Sequence, residues 1–340
     1  MENSVCFCWS GFPQYAARCV GAFARSFKGR VAVVATRPRV PVEGMEALCG
    51  CDVCWIDAGE SRPTADVLGF MPQTVLATGW HLAPFNRFCR EVRKTGGRAV
   101  CLCDNNRTGS FKEFLNGMRF RLMIRRRFDA FMVPGASGRN LLEGYGVKPE
   151  RIAEGMYTAD STVFHDGAPL EERSKKIIYV GQFSERKNVR RLCEAFRSIA
   201  GRKGWELHMY GCGPVEIESG GGVVVHPFMQ PEALAREYRM ARIFAIASVE
   251  EHWGLVVHEA ALSGCVLCVS EKVGSADDLL DEINGRTFNP YDVADIARKL
   301  REVMSFDDDR LRRAHSRSIE LASRIGLDVF VRGVARSIGT

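Results

Sequence analysis

Two doubly wound α/β domains are the fold that the 340-residue sequence predicts, and three observations carry the prediction. Short β-branched runs alternate with longer helical stretches through most of the chain. The alternation stops at a polar, charged segment, "HDGAPLEERSK" (His165–Lys175), and then restarts. The length suits two domains of ordinary size. A 46% hydrophobic and 26% charged composition is that of a chain with real cores and not of a disordered one.

The elements follow in order. "CFCWSGFPQYAARC" places Gly11 between a first strand and its helix. Val31–Thr36, Thr74–Thr78, Arg98–Cys103 and Ala130–Pro134 read as buried parallel strands. "APFNRFCREVRKTG" between two of them has helical spacing and a Gly stop. In the second half Lys175–Gly181, Trp205–Gly211, Gly222–Phe228, Arg242–Ser248 and Cys265–Ser270 read as strands, with a helix over Asn188–Ala200. The last part reads as two helices broken near Gly326. Asp307, Asp308 and Asp309 suit a helix start, where acids meet free amides, better than a metal cluster. The expected domains are 1–165 plus 326–340, and 166–325.

A net charge of +6 fits anionic substrates or an anionic surface and does not call for nucleic acid. The first residues show no secretory pattern and no run is long enough to span a bilayer, which predicts a cytoplasmic protein. Thirteen cysteines then read as free thiols. Cys6 with Cys8, and Cys101 with Cys103, each share one face of a strand and read as core thiols. Cys51 and Cys54 have metal-pair spacing but no second pair, so no metal site is expected.

The stretch "VEEHWGLVVHEAALSGC" (Val249–Cys265) draws the site. A strand ends near Ser248, and Gly254 precedes a helix that stops at Gly264. The loop between sits at the carboxyl end of a parallel strand, where open α/β sheets bind ligands. Free amides of Trp253, Gly254 and Leu255 would face an anion there. Glu251 reaches in from the loop and Glu259 from the helix; taken alone, both could be ordinary solvated acids. "YVGQFSERKN" adds Lys187 just before another helix, and "MYGCGP" is a further glycine-rich strand end.

In the order "YVGQFSERKN", "LHMYGCGP", "VVVHPF", "EEHWGLVVHEAALSG" and "VGSADDLLDEINGRTFNP", the sequence resembles the retaining glycosyltransferases of family 4. The resemblance is strong from Tyr179 to Pro290 and weaker before. It implies the GT-B fold: two Rossmann-like domains facing a central cleft, with a C-terminal helix crossing back to the first. It also implies transfer of a sugar from a nucleoside diphosphate (UDP or GDP) to a hydroxyl, with retention and with no cofactor. The implied acceptor is a glycan or lipid-linked glycan in surface polysaccharide or glycolipid assembly.

By position, the resemblance puts Glu251 on the donor sugar, Glu259 on the ribose hydroxyls, Lys187 on the diphosphate and the amides of Trp253, Gly254 and Leu255 on sugar and phosphate. Gln182 and Arg186 join the donor site, as does Gly11, which a tight turn would equally require. Pro227, Phe228 and Met229 match the region near the nucleobase. Two departures stand out. Gln182 occupies a place where the family usually has Arg. Asp104 stands where the family often has His, as a sugar or acceptor ligand or as a turn residue. Asp104, Glu251 and Lys187 are the catalytic candidates. His81, Asn105 and Arg107 are acceptor-side candidates, although a lone His is as readily structural.

"FKEFLNGMRFRLMIRRRFDAF" carries Arg119, Arg121, Arg125, Arg126 and Arg127 among apolar residues. It reads either as a solvated basic face or as an element touching anionic lipid on the cytoplasmic membrane face. The rival to an enzyme is a non-catalytic, nucleotide-sugar-binding scaffold subunit, motivated by Gln182 and Asp104. A dinucleotide oxidoreductase is disfavoured because no strand is followed by Gly-x-Gly-x-x-Gly.

Overall fold

The computed structural model describes residues 3–38, 42–57, 59, 64–106 and 111–339. Two compact units emerge: Met1–Thr158 with Gly326–Thr340, and Ala159–Ile325.

The first unit holds a seven-stranded parallel sheet: β1 (Ser4–Trp9), β2 (Arg30–Ala35), β3 (Asp52–Trp55), β4 (Thr74–Thr78), β5 (Arg98–Leu102), β6 (Ala130–Val133) and β7 (Ile152–Glu154). Their order is β3-β2-β1-β4-β5-β6-β7. β1 is buried along its whole length because it lies inside the sheet with both faces covered. Its alternation sends Cys6 and Cys8 into one apolar cluster with Cys101 and Cys103. Phe7 points to the other face, against Phe23 (ring centroids 5.7 Å) and Phe330 (6.2 Å). Phe330 belongs to the last helix, Leu327–Ile338, which therefore completes the core of the first unit.

The second unit holds six parallel strands: β8 (Ser174–Val180), β9 (Glu206–Tyr210), β10 (Val223–His226), β11 (Ala241–Ile246), β12 (Val266–Ser270) and β13 (Gly285–Phe288). Their order is β10-β9-β8-β11-β12-β13. Direction reverses between β1 and β4 in the first sheet and between β8 and β11 in the second. Such a switch point opens a crevice at the carboxyl ends of the strands. Each unit has the Rossmann-like topology of a GT-B domain.

The division falls at Thr158/Ala159, earlier than the 165/166 boundary expected from sequence. Ala159 and Phe164 are already buried in the second core, and the Ala159 amide donates to His258 Nδ1 at 3.2 Å. The polar segment expected as a linker is itself packed. Leu170 is fully buried, and buried Arg173 donates to the carbonyls of Ala168 (2.7 Å) and Ala241 (3.1 Å). A charged side chain that satisfies carbonyls looks like a linker residue in sequence and acts as a staple in the fold.

Candidate active site

Three loops at the carboxyl ends of β8, β9 and β11 build the site in the second unit. After β8, Gly181–Phe183 pairs with the loop after β9: Gly181 N donates to Tyr210 O (3.1 Å) and Phe183 N to Cys212 O (2.8 Å). The chain then makes a short turn, Glu185–Lys187, and Asn188 leaves it in the left-handed region (φ 56°). The Asn188 amide group donates to Ala247 O (3.0 Å) and Pro290 O (2.7 Å), which fixes the turn against the end of β11. Its αL backbone is one that Asn tolerates better than most residues.

That turn delivers two cations to one carboxylate. Lys187 Nζ bonds Glu251 Oε2, with the two side chains only 11% and 12% exposed. Arg186 Nη1 donates to Glu250 O at 2.7 Å and reaches Glu251 Oε2 at 3.4 Å. Ser248 Oγ donates to the same oxygen at 3.3 Å. Glu251 is also tied by backbone: its amide donates to Lys272 O (3.1 Å), and its carbonyl accepts from Gly274 N (3.0 Å). Two cations on one anion leave the cluster with a surplus of positive charge. The Arg186 guanidinium thus brings a second charge to Glu251, while neutral Gln182 is exposed. A neighbouring position in a tight turn need not aim inward; here it does.

The helix Leu255–Leu262 starts directly behind Glu251. Gly254 precedes it at φ 85°, and a Cβ there would stand 3.1 Å from both Glu251 Cγ and Val273 Cγ1. Glycine is required for conformation and for space. Trp253 is buried, its carbonyl accepting from Ser275 N (3.0 Å), and no side chain caps the helix. Among the described residues no acceptor is bonded to the amides of Trp253, Gly254 or Leu255. An uncapped helix start beside a net positive cluster suits an anion.

Glu259 is half-buried, and the Tyr238 hydroxyl lies 3.2 Å from its Oε2 and 3.3 Å from Val256 O. Burial pushes the Glu259 carboxyl from its ordinary 4.5 up to about 7, against the opposing pull of Tyr238. Proton linkage then gives a sign. Glu259 favours the folded protein fully below about 4.5, and this contribution is lost as pH rises through about 7. On the same helix, His258 is pushed down to about 4 by burial, and it spans from the Ala159 amide to Ala322 O (3.0 Å). It is a neutral structural brace that ties the Ala159 and Ala322 backbone to this helix.

Pro227, Phe228 and Met229 form the exposed to half-buried loop after β10. In the first unit, Gly11, His81 and Asp104 follow β1, β4 and β5, neighbouring strands at that sheet's own switch point. Gly11 makes a left-handed turn (φ 64°) and its amide donates to Thr36 Oγ1 at 2.8 Å, as a tight turn requires. His81 is exposed. Asp104 is half-buried and accepts from Tyr157 Oη at 2.6 Å, and Asn105 Oδ1 accepts from Cys103 Sγ at 3.7 Å. Arg107 lies outside the described residues. Ser248, Asn188, Tyr238 and Tyr157 support the candidate groups, a role that the sequence assigned to none of them.

Known proteins give the class. Residues 174–305 match the family model described as glycosyl transferases group 1. The D-inositol 3-phosphate glycosyltransferase of Corynebacterium kroppenstedtii is 29% identical over 212 residues, 54% of this chain and 47% of that one. An uncharacterized glycosyltransferase of Methanocaldococcus jannaschii is 24% identical over 169 residues, 47% of this chain and 43% of that one. The chain spans about half the length of the curated relatives it matches. Among solved structures, sucrose-phosphate synthase from Thermosynechococcus elongatus has the same fold over 98% of both chains (TM-score 0.76, 14% identity). Anabaena HepE, solved with UDP-glucose, matches over 99% of both (TM-score 0.73, 14% identity). The match to glycosyl transferases group 1 thus falls within the second unit, and the chain as a whole shares the GT-B fold of these solved structures.

Proposed function

We propose that the protein is a retaining glycosyltransferase that moves a sugar, a hexose or a related one, from a nucleoside diphosphate sugar to a hydroxyl of a glycan or lipid-linked glycan. The observation that carries this reading is the cluster at the β8/β11 switch point: Lys187 and Arg186 on Glu251, beside an uncapped helix start. A diphosphate fits a net positive charge flanked by free amides. On donor binding, Lys187 would shift from Glu251 towards phosphate and stabilise the charge that develops on the leaving group. Glu251, released from part of that pairing, would accept hydrogen bonds from sugar hydroxyls. The leaving phosphate could itself take the acceptor proton in a front-face displacement, so no side-chain nucleophile is needed, unlike a glycosidase with two close carboxylates. No cofactor enters this scheme. Matching the anomeric configuration of donor and product by NMR tests it. An inverted product overturns the retaining reading, and failure to turn over or hydrolyse any donor favours a binding subunit.

Glu259 as the ribose ligand gives a second expected result. A carboxylate accepts from two hydroxyls, and its protonated form accepts less well. Affinity for a nucleoside diphosphate sugar, whose phosphates do not titrate near neutrality, should therefore fall as pH drops below about 7. The limiting slope is about tenfold per pH unit. Isothermal titration across this range should show the slope in the wild type and its loss in Glu259→Gln; an equal slope in both removes Glu259 from the site.

The basic segment supports peripheral contact with an anionic membrane. Leu115, Met118, Leu122 and Met123 are exposed, Leu122 to 78%, while Phe120 and Ile124 anchor the segment in the core. Arg121 and Arg125 partly serve the fold, donating to Gly144 O (2.5 Å) and Gly146 O (2.6 Å). Arg119 and Arg126 are exposed. Each basic side chain near an anionic surface is worth about 1 kcal/mol. Replacing Arg119 and Arg126 by Gln together with Leu122→Ser should release the protein from vesicles of anionic lipid in a sedimentation assay. Unchanged co-sedimentation would leave the segment a solvated face.

A further inference from the structure

The thiols of Cys49 and Cys51 stand 3.0 Å apart, Sγ to Sγ, and share a hydrogen bond. Cys49 ends the short helix Met45–Cys49, and Gly50 follows in the left-handed region (φ 63°, ψ 20°). That turn folds the chain back so that two thiols separated by one residue meet. Sequence spacing pairs Cys51 with Cys54; the fold pairs it with Cys49. Cys49 is buried and Cys51 half-exposed at the start of edge strand β3, so a small reagent reaches the pair from one side.

We infer that Cys49 and Cys51 form a reversible thiol–disulfide modification site, oxidised by a hydroperoxide and restored by a thiol reductant. A disulfide bond is about 2.0 Å long, so closure needs roughly 1 Å of sulfur movement, within reach of side-chain rotation next to a glycine. The chemistry balances in two steps. A Cys49 thiolate attacks the terminal peroxide oxygen, the O–O bond breaks, and the second oxygen leaves as alkoxide, or as hydroxide from hydrogen peroxide, and is protonated. The Cys51 sulfur then attacks the Cys49 sulfenic acid, the S–O bond breaks, and water leaves with the Cys51 proton. Two thiols and one hydroperoxide give one disulfide, one water and one alcohol, or two waters from hydrogen peroxide. Two thiols of a reductant reverse it by exchange through a mixed disulfide.

Within the pair, Cys49 moves in the opposite direction to the thiols that burial raises. The hydrogen bond from Cys51 draws the Cys49 thiol down, the Cys51 thiol being pushed up in return. Burial pushes Cys89 and Cys103 up to about 12 and makes them poor nucleophiles. Cys212 is an exposed thiol and serves as an internal control.

Peptide mapping of the whole protein after treatment with stoichiometric hydrogen peroxide tests the site. The peptide holding residues 49–51 should lose the mass of two hydrogens and regain it with dithiothreitol. The loss should vanish in Cys49→Ser and in Cys51→Ser and persist in Cys54→Ser; Cys51→Ser carries the test should the buried Cys49→Ser fail to fold. A peptide that keeps its dithiol mass while Cys212 is oxidised overturns the proposal. So does a two-hydrogen loss that survives Cys51→Ser, since that would mean pairing with Cys54.

Discussion

Replacing Lys187 by Met is expected to lower sugar transfer by about 10²- to 10³-fold, the size of effect seen when one preorganised stabilising group is removed from an active site. In the resting protein the same change takes the lysine from Glu251, 12% exposed, while Arg186 at 3.4 Å and Ser248 at 3.3 Å stay among its partners. Removing one member of a well-buried pair costs about 3–5 kcal/mol, and the retained Arg186 should hold the loss towards the lower end. Two readouts separate the roles. Chemical denaturation should show the stability loss in Lys187→Met and its partial recovery in Lys187→Met with Glu251→Gln, where no unpaired carboxylate remains. Turnover should not recover in the double variant, because the leaving group still lacks its cation. A wild-type rate in Lys187→Met would remove this lysine from the chemistry, whatever its effect on folding.

Much of this arrangement is legible in the sequence, for physical reasons that differ by element. Central strands such as β1, β4, β8 and β12 are covered on both faces and therefore read as unbroken apolar runs. The short edge strands β3 (Asp52–Trp55) and β13 (Gly285–Phe288) have mixed burial, and β7 (Ile152–Glu154) has only three residues, so none carries such a signal. Glu251, Gly254 and Glu259 are legible because a strand end, a left-handed glycine and a helix start must follow one another at short spacing. Their supports are less so. Tyr238 reaches Glu259 from a helix 21 residues earlier, and Asn188 reaches Pro290 across 102 residues. Only the folded chain brings such partners together. The aim of Arg186 is not legible, because the direction of a side chain in a three-residue turn depends on backbone angles that composition does not fix.

Gly211→Ala is expected to be the most disruptive of the small substitutions, and the reason corrects the sequence-based role of "MYGCGP". That glycine-rich strand end reads as a place for backbone to approach a ligand. In the fold its glycines let one loop approach another. Gly211 has φ 153°, and a Cβ there would lie 2.0 Å from the Gly181 carbonyl oxygen. The obstacle is backbone, held by the hydrogen bonds from Gly181 N to Tyr210 O and from Phe183 N to Cys212 O, so no side-chain rotation relieves it. The Gly181–Phe183 loop must move, and with it the turn that delivers Arg186 and Lys187 to Glu251. A loss of about 3 kcal/mol is expected from the clash and the disfavoured backbone together. Donor affinity should fall as well, since the cationic cluster is displaced. Gly181→Ala should be milder, because its nearest obstacle is the Tyr179 hydroxyl at 3.0 Å, the end of a side chain. Gly144→Ala, in a helix with open space around the new methyl, should be neutral or slightly stabilising. Melting temperatures and donor titrations of the three variants would show this order if the loops after β8 and β9 act as one unit. Equal effects of Gly211→Ala and Gly144→Ala would mean that the two loops are free to part, and that Lys187 does not depend on the glycines of β9 for its position.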